Sequence, residues 1–128
     1  MTIADQFVLA LTAWRENRGG GVPGMQSVAN VIMNRAAKRR TDAYTECVRP
    51  MQFSSLTAKG DPELTLWPAD NDPQWLEAIA LAGQAAVGTL EDITDGATSY
   101  YALTMTSPPY WASSMTPTVV IQNQQFYK

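Results

Sequence analysis

Phe7, Val8, Leu11 and Trp14 recur at the spacing of one face of a helix that begins near Ile3, with Thr2 or Asp5 available to cap its first turn. At about 100° per residue, Glu16 falls opposite Phe7, beside Thr12 and Leu9, and is expected to point away from the stripe that the core holds. Gly19-Gly20-Gly21 end this helix, and Pro23-Gly24 open a second one, predicted from about Gly24 to Ala37. Its apolar stripe is Met25, Val28, Ala29, Ile32 and Ala36. Gln26, Asn30 and Asn34 repeat every four residues on another face, a polar stripe of the kind that ordinarily meets water.

Between Arg39 and Asp72 the periodicity is interrupted by Pro50, Gly60, Pro62 and Pro68, and the stretch reads as a long ordered loop region with short helical turns. Loops of this length in a compact domain usually carry function, which fits the wall of a substrate cleft. Asp72-Pro73 is a strong helix start. The apolar run from Trp75 through Leu76 and Ile79 to Val87 makes this the most hydrophobic of the three helices, expected to be the central buried one and stopped by Gly88. Beyond a turn at Thr94-Asp95-Gly96, Ala97 to Leu103 is β-prone, and Pro108-Pro109 breaks it. Thr118 to Ile121 and Gln125 to Tyr127 flank Gln122-Asn123-Gln124 as a small hairpin. The class is therefore α+β, a mainly helical single domain over residues 1–128 with a small antiparallel β element towards the C-terminus.

Composition narrows the chemistry. A hydrophobic fraction of 45% and a charged fraction of 16% over 128 residues are those of one globular core. A net charge of −3 argues against nucleic acid as a partner, since that affinity comes from basic residues neutralising phosphates. Lys38-Arg39-Arg40 reads as the solvated, dipole-favoured end of a helix. Cys47 is alone and forms no intrachain disulfide, and the absence of histidine excludes Ser-His-Asp and Cys-His catalysis and His-bearing zinc sites. Neither a metal nor a cofactor is expected. The N-terminus has no basic n-region, and no run approaches the roughly 18 apolar residues of a membrane span, so membrane insertion is not expected.

Trp14, Glu16, Arg18, Gly19 and Gly24 form a W-x-E-x-R-G-x-x-x-x-G string, followed by Gln26, Val28-Ala29-Asn30-Val31-Ile32 and Asn34-Arg35. Further along stand Gln52-Phe53-Ser54, Gly96-Ala97-Thr98 with Tyr100-Tyr101, and a final Phe126-Tyr127. This ordered set, spread over nearly the whole chain, resembles the SleB-type cell wall hydrolases, lysozyme-like enzymes that cut the glycan strands of peptidoglycan. The resemblance implies a lysozyme-like fold, peptidoglycan glycan strands as the partner, and Glu16 as the catalytic acid, since it matches the glutamate that opens the E-x-R-G motif. Arg18, Gln26 and Asn34 are implied as residues that support the motif. Gln52, Ser54, Thr98, Tyr100 and Tyr101 are implied substrate contacts, and Trp111, an aromatic in a Pro-bearing loop like Trp67, either stacks on a sugar or plugs its loop to the core. Two departures stand out: the family commonly has Ala where this chain has Asn17, and a second Glu where it has Gly20.

Breaking a glycosidic bond requires protonation of a poorly basic ether oxygen, hence a carboxylic acid still protonated near neutral pH. The C-terminal end of a helix and partial burial beside Trp14 push Glu16 that way, while Arg15 and Arg18 push against it if they face the carboxylate. Two-carboxylate glycosidases hold their acid and its partner roughly 5 to 10 Å apart. Asp61, Asp70, Asp72 and Asp95 lie where turns and helix caps ordinarily use Asp. A lytic transglycosylase needs one carboxyl group, because the muramic acid's own hydroxyl attacks the anomeric carbon. The expected activity is thus single-Glu lytic transglycosylation between N-acetylmuramic acid and N-acetylglucosamine. The alternatives are a hydrolytic muramidase and a weakened peptidoglycan-binding or virion module. A lone domain without a signal resembles a phage endolysin, expected to be a monomer made in the host cytoplasm that reaches the wall through a holin.

Overall fold

The computed structural model describes residues 1–128. Helix α1, Ile3–Asn17, starts at a capping box in which Thr2 Oγ1 accepts from the Asp5 amide at 3.0 Å and Asp5 accepts from the Thr2 amide at 2.8 Å. The other Asp5 oxygen accepts from the Tyr44 amide, tying this cap to the next layer. Helix α2, Gly21–Arg39, is longer at both ends than its stripe predicts, because Gly19 and Gly20 sit in a 3-10 turn, Arg18–Gly20, and do not break the chain. Arg40, in the left-handed region at φ 55°, ends it.

The centre of the molecule is α1. Every residue from Leu9 to Arg15 is buried, since α2, α3 (Ala43–Val48) and α5 (Pro73–Val87) all pack on it. The expectation that Glu16 shares a face turned away from the core is corrected accordingly. Leu9 and Thr12 on that face are fully buried, and the Thr12 hydroxyl satisfies itself on the Val8 carbonyl at 2.7 Å. Phe7, from the predicted core stripe, is half exposed with its ring edge-on to Trp75.

Helix α5 is also corrected. It buries only Trp75, Ala78, Leu81 and Ala82, while Leu76 is 54% and Val87 73% exposed. A helix apolar all round carries no stripe to say how deep it lies, and this one docks by a single face. The predicted loop region contains α3, capped by Asp42, the short α4 (Ser54–Thr57), and a 3-10 turn, Pro62–Thr65, capped by Asp61. The predicted wet stripe of α2 is a clamp: Gln26 and Asn30 both donate to the Glu91 carbonyl, Asn30 accepts from the Ile93 amide, and Asn34 donates to Asp92 and to the Ala97 carbonyl. These bonds lay residues 91–97 along α2.

That loop delivers β1, Ser99–Ala102, to an antiparallel sheet of order β1-β3-β2 with β2 at Pro117–Ile121 and β3 at Gln124–Tyr127. Ile121 pairs with Gln124 across a two-residue turn, Gln122-Asn123, both at positive φ (48° and 62°) as a type I′ hairpin requires. The hairpin loop is one residue shorter than predicted because Gln124 joins the ladder. Phe126 and Ala97 close on Val31, a small second core that joins the sheet to α2.

One charge is fully buried. Glu46 accepts from Arg39, Thr41 and Arg49. Burial alone would raise its pKa, but the bonds from Arg49, Thr41 and Arg39 outweigh it and hold the carboxyl at about 2, against an ordinary 4.5. A depressed carboxylate contributes stability above its unfolded pKa and loses it as pH falls through the folded value. The melting temperature should therefore drop steeply between about pH 4.5 and 2. In Glu46→Gln, melting followed by circular dichroism should start lower at pH 7 and fall less over that window.

Candidate active site

Glu16 occupies the last turn of α1, partly exposed, with β1 facing it across the α1–α2 junction. The Tyr100 hydroxyl donates to Glu16 Oε1 at 3.4 Å. Neither neighbouring arginine touches the carboxylate. Arg15 is buried and donates to the Leu66 and Ser55 carbonyls, with its guanidinium 4.7 Å from the Trp67 ring centroid. Arg18 makes a bidentate pair with Glu63 and lies 4.1 Å over the Trp14 ring. With both cations committed elsewhere, burial raises the pKa of Glu16 and the charge of Asp61 adds to this, against opposition from the Ser55 and Tyr100 groups. Ser55 Oγ approaches the carboxylate without completing a hydrogen bond, and it is fully buried and otherwise unpartnered. Burial and the Glu16 charge push the Tyr100 hydroxyl well above its usual range, so it stays a donor.

The arrangement therefore offers a carboxyl group poised to give and retake a proton, steadied by one phenol. Cys47 offers no rival nucleophile, since burial pushes its thiol up to about 12. No three acidic or cysteine side chains gather as metal ligands would.

The residues predicted to contact substrate fall into four places. Tyr100 meets Glu16, and its ring lies 5.3 Å from Phe126 on the inner face of the sheet. Tyr101 points the other way, as the strand period demands, into an aromatic cluster with Trp111 and Tyr127 at centroid distances of 5.4 to 6.3 Å. Gln52 and Thr98 line a polar cavity of about 260 Å³ together with Arg35. Ser54 donates to Asp61 at 2.7 Å and borders a separate cavity of about 500 Å³ that Glu16 does not line. Gln26 and Asn34 act on the loop that carries β1, not on the carboxylate. Trp67 is 64% exposed above Arg15.

Three neighbours were not singled out by sequence reasoning. Ser55 gives no signal, being a serine beside a serine. Arg35 stood inside the quoted Asn34-Arg35 string, and its Nε donates to the Thr98 carbonyl at 2.6 Å. Asp61 does cap a turn, as expected of it, through the Glu63 amide at 2.8 Å, and its charge also reaches Glu16.

The two departures at positions 17 and 20 are one feature in space. Gly20 has an ordinary φ of −84°, so its backbone admits any residue, but a Cβ there would lie 2.8 Å from Asn17 Oδ1. A Cβ at Gly24 would lie 2.8 Å from Asn17 Nδ2. The Asn17 amide fills the hollow between the two glycines and reaches Gln124 on β3 at 3.4 Å.

A family model described as Cell Wall Hydrolase matches residues 19–127, beginning three residues after Glu16. Among solved structures, the catalytic domain of the germination-specific lytic transglycosylase SleB from Bacillus anthracis is similar, with a TM-score of 0.74 at 22% identity over 100% of this chain and 97% of that one. The similarity extends to the lysozyme-like fold. No curated protein matches the chain.

Two expectations arise from this geometry. Gly20→Glu should cost about 1–3 kcal/mol by displacing Asn17, and much less in an Asn17→Ala background, a coupling that a double-mutant cycle of denaturant unfolding measures. For Glu16, whose folded pKa is raised, the stability it contributes is present below the unfolded value of about 4.5 and is lost as pH rises through the folded one. Glu16→Gln should therefore melt higher than the parent at pH 7 to 8, with the difference shrinking towards acid.

Proposed function

The chain belongs to the cell wall hydrolase family, and from that premise we propose that it cleaves peptidoglycan glycan strands between N-acetylmuramic acid and N-acetylglucosamine by single-Glu lytic transglycosylation. The observation that carries this reading is the Glu16 carboxyl: partly buried, paired with no cation, and met by the Tyr100 hydroxyl. In this mechanism, protonated Glu16 gives its proton to the glycosidic oxygen, the N-acetylglucosamine side departs as an alcohol, and positive charge develops at C1 of the muramic residue. The muramic C6 hydroxyl then bonds to C1 and passes its proton to the Glu16 carboxylate, which restores the acid and leaves a 1,6-anhydromuramic end. Tyr100 steadies the carboxylate between the two transfers, when it is ionised. Trp67, exposed with its ring beside the Arg15 guanidinium, offers a flat apolar surface for a sugar face.

Asp61 favours a second reading. It is a carboxylate held ionised by bonds from Ser54 and the Glu63 amide, and its charge reaches Glu16, as a base that activates water in a muramidase would. Mass spectrometry of digested peptidoglycan separates the two: anhydromuramic ends support transglycosylation, and reducing muramic ends support hydrolysis. We extend the first reading to a setting, that of a monomeric phage endolysin that reaches the wall through a holin. Expression in a host with and without a holin tests it, with lysis expected only in the first.

Glu16→Gln should lower wall clearing at least about 10²-fold in a turbidity assay while the fold is kept, and clearing at the parent rate would overturn the assignment of the acid. Tyr100→Phe removes a bond that favours ionised Glu16, so the acid should stay protonated to higher pH. The alkaline limb of the pH–clearing profile should shift upward, with a smaller loss of rate than in Glu16→Gln.

A further inference from the structure

The basic run at the end of α2 does more than cap a helix. Arg35, Lys38 and Arg39 line the cavity of about 260 Å³ together with Gln52, Thr98 and Ser99. Three cations thus surround one cavity in a chain of net charge −3, and their neutralisation is incomplete. Arg39 has a carboxylate partner, Glu46, but shares it with Arg49 and Thr41. Lys38 is exposed and takes part in no ion pair. Arg35 lies 5.4 Å from the Phe53 ring centroid and donates its Nε to the neutral Thr98 carbonyl, while its Nη1 is buried without an acceptor. No carboxylate of this chain hydrogen-bonds Arg35. Gln52, Thr98 and Ser99, which also line the cavity, bring neutral polar groups suited to a peptide-like ligand.

Position along the chain gives the ligand a reason to be there. Thr98 stands two residues before Tyr100, roughly 7 Å along an extended strand and on the same face. The cavity thus lies one short step from the phenol that meets Glu16. On a peptidoglycan strand, the groups one short step from the scissile bond that carry negative charge are the carboxylates of the peptide attached to the muramic acid. We propose that this cavity binds a carboxylate of the muramic acid's peptide stem and so selects which sugar of the strand presents its C1 to Glu16. The inference rests on the glycan-cleaving function proposed above.

Titration of the isotope-labelled protein with a free stem tripeptide bearing its carboxylates, followed by amide nuclear magnetic resonance at low salt, tests it without any cleavage. Saturable shifts centred on Lys38, Gln52 and Thr98 are expected, with binding about tenfold weaker in Lys38→Glu and weakened by added salt. A tripeptide with its carboxylates converted to carboxamides should leave these signals in place. Absence of saturable shifts in the parent, or equal shifts with the carboxamide peptide, overturns the proposal. Shifts with a glycerol phosphate oligomer but none with the tripeptide overturn it too, and assign the cavity to teichoic acid phosphates instead. The parent titration stands alone should Lys38→Glu fail to fold. Because Glu16→Gln on whole walls tests cleavage separately, failure of one assignment leaves the other measurable.

Discussion

Arginines flank Glu16 on both sides in the chain, and the structure depends on neither of them pairing with its carboxyl group. Arg15 is drawn under the molecule onto two carbonyls, and Arg18 is drawn outward onto Glu63. Both partners belong to the irregular region between α3 and α5. That region is therefore no mere connector: by giving each guanidinium something better to do, it leaves Glu16 without a counterion. Burial then decides the direction of the shift, with Tyr100 as a moderating donor.

Placing α1 at the centre makes this possible. A helix covered on three sides has fixed ends, and its last turn holds the carboxylate in register with β1. Strand β1 has its own anchor, since the amides of Gln26, Asn30 and Asn34 run along α2 and hold the backbone of residues 91–97. The polar side chains of α2, with Val31, thus set the position of the sheet, and its other buried apolar side chains set the position of α1. Glu16 and Tyr100 come from opposite halves of the chain, and α2 is the gauge between them.

The helices and the hairpin were legible because their signals are local: Thr2 and Asp72 as caps, Gly88 as a stop, and the strand alternation that sends Tyr100 and Tyr101 to opposite faces. Depth was not legible. Trp75 and Leu76 look alike in sequence, yet one is buried and the other open, because only tertiary docking chooses a face on a helix that is apolar all round. The task of the amide stripe of α2 is not legible for a related reason, since amides that serve water and amides that serve a distant loop share one periodicity. At the site, the motif singles out Glu16 as the candidate, but the absence of a cation against it is not legible, since the partners of Arg15 and Arg18 lie 40 to 51 residues away.

Asn17, wedged between Gly20 and Gly24, bears on how such a chain can change over generations. Position 20 can carry a side chain or position 17 can carry an amide, but the hollow they share holds only one of them. A lineage that moves between the two arrangements has a preferred order of steps: the occupied position must shrink before the vacant one grows. The intermediate, with small residues at both places, leaves the hollow unfilled and loses the contact to Gln124. History at these two sites is therefore directional, and a substitution harmless in one homologue becomes a collision in another with the same fold and the same glutamate.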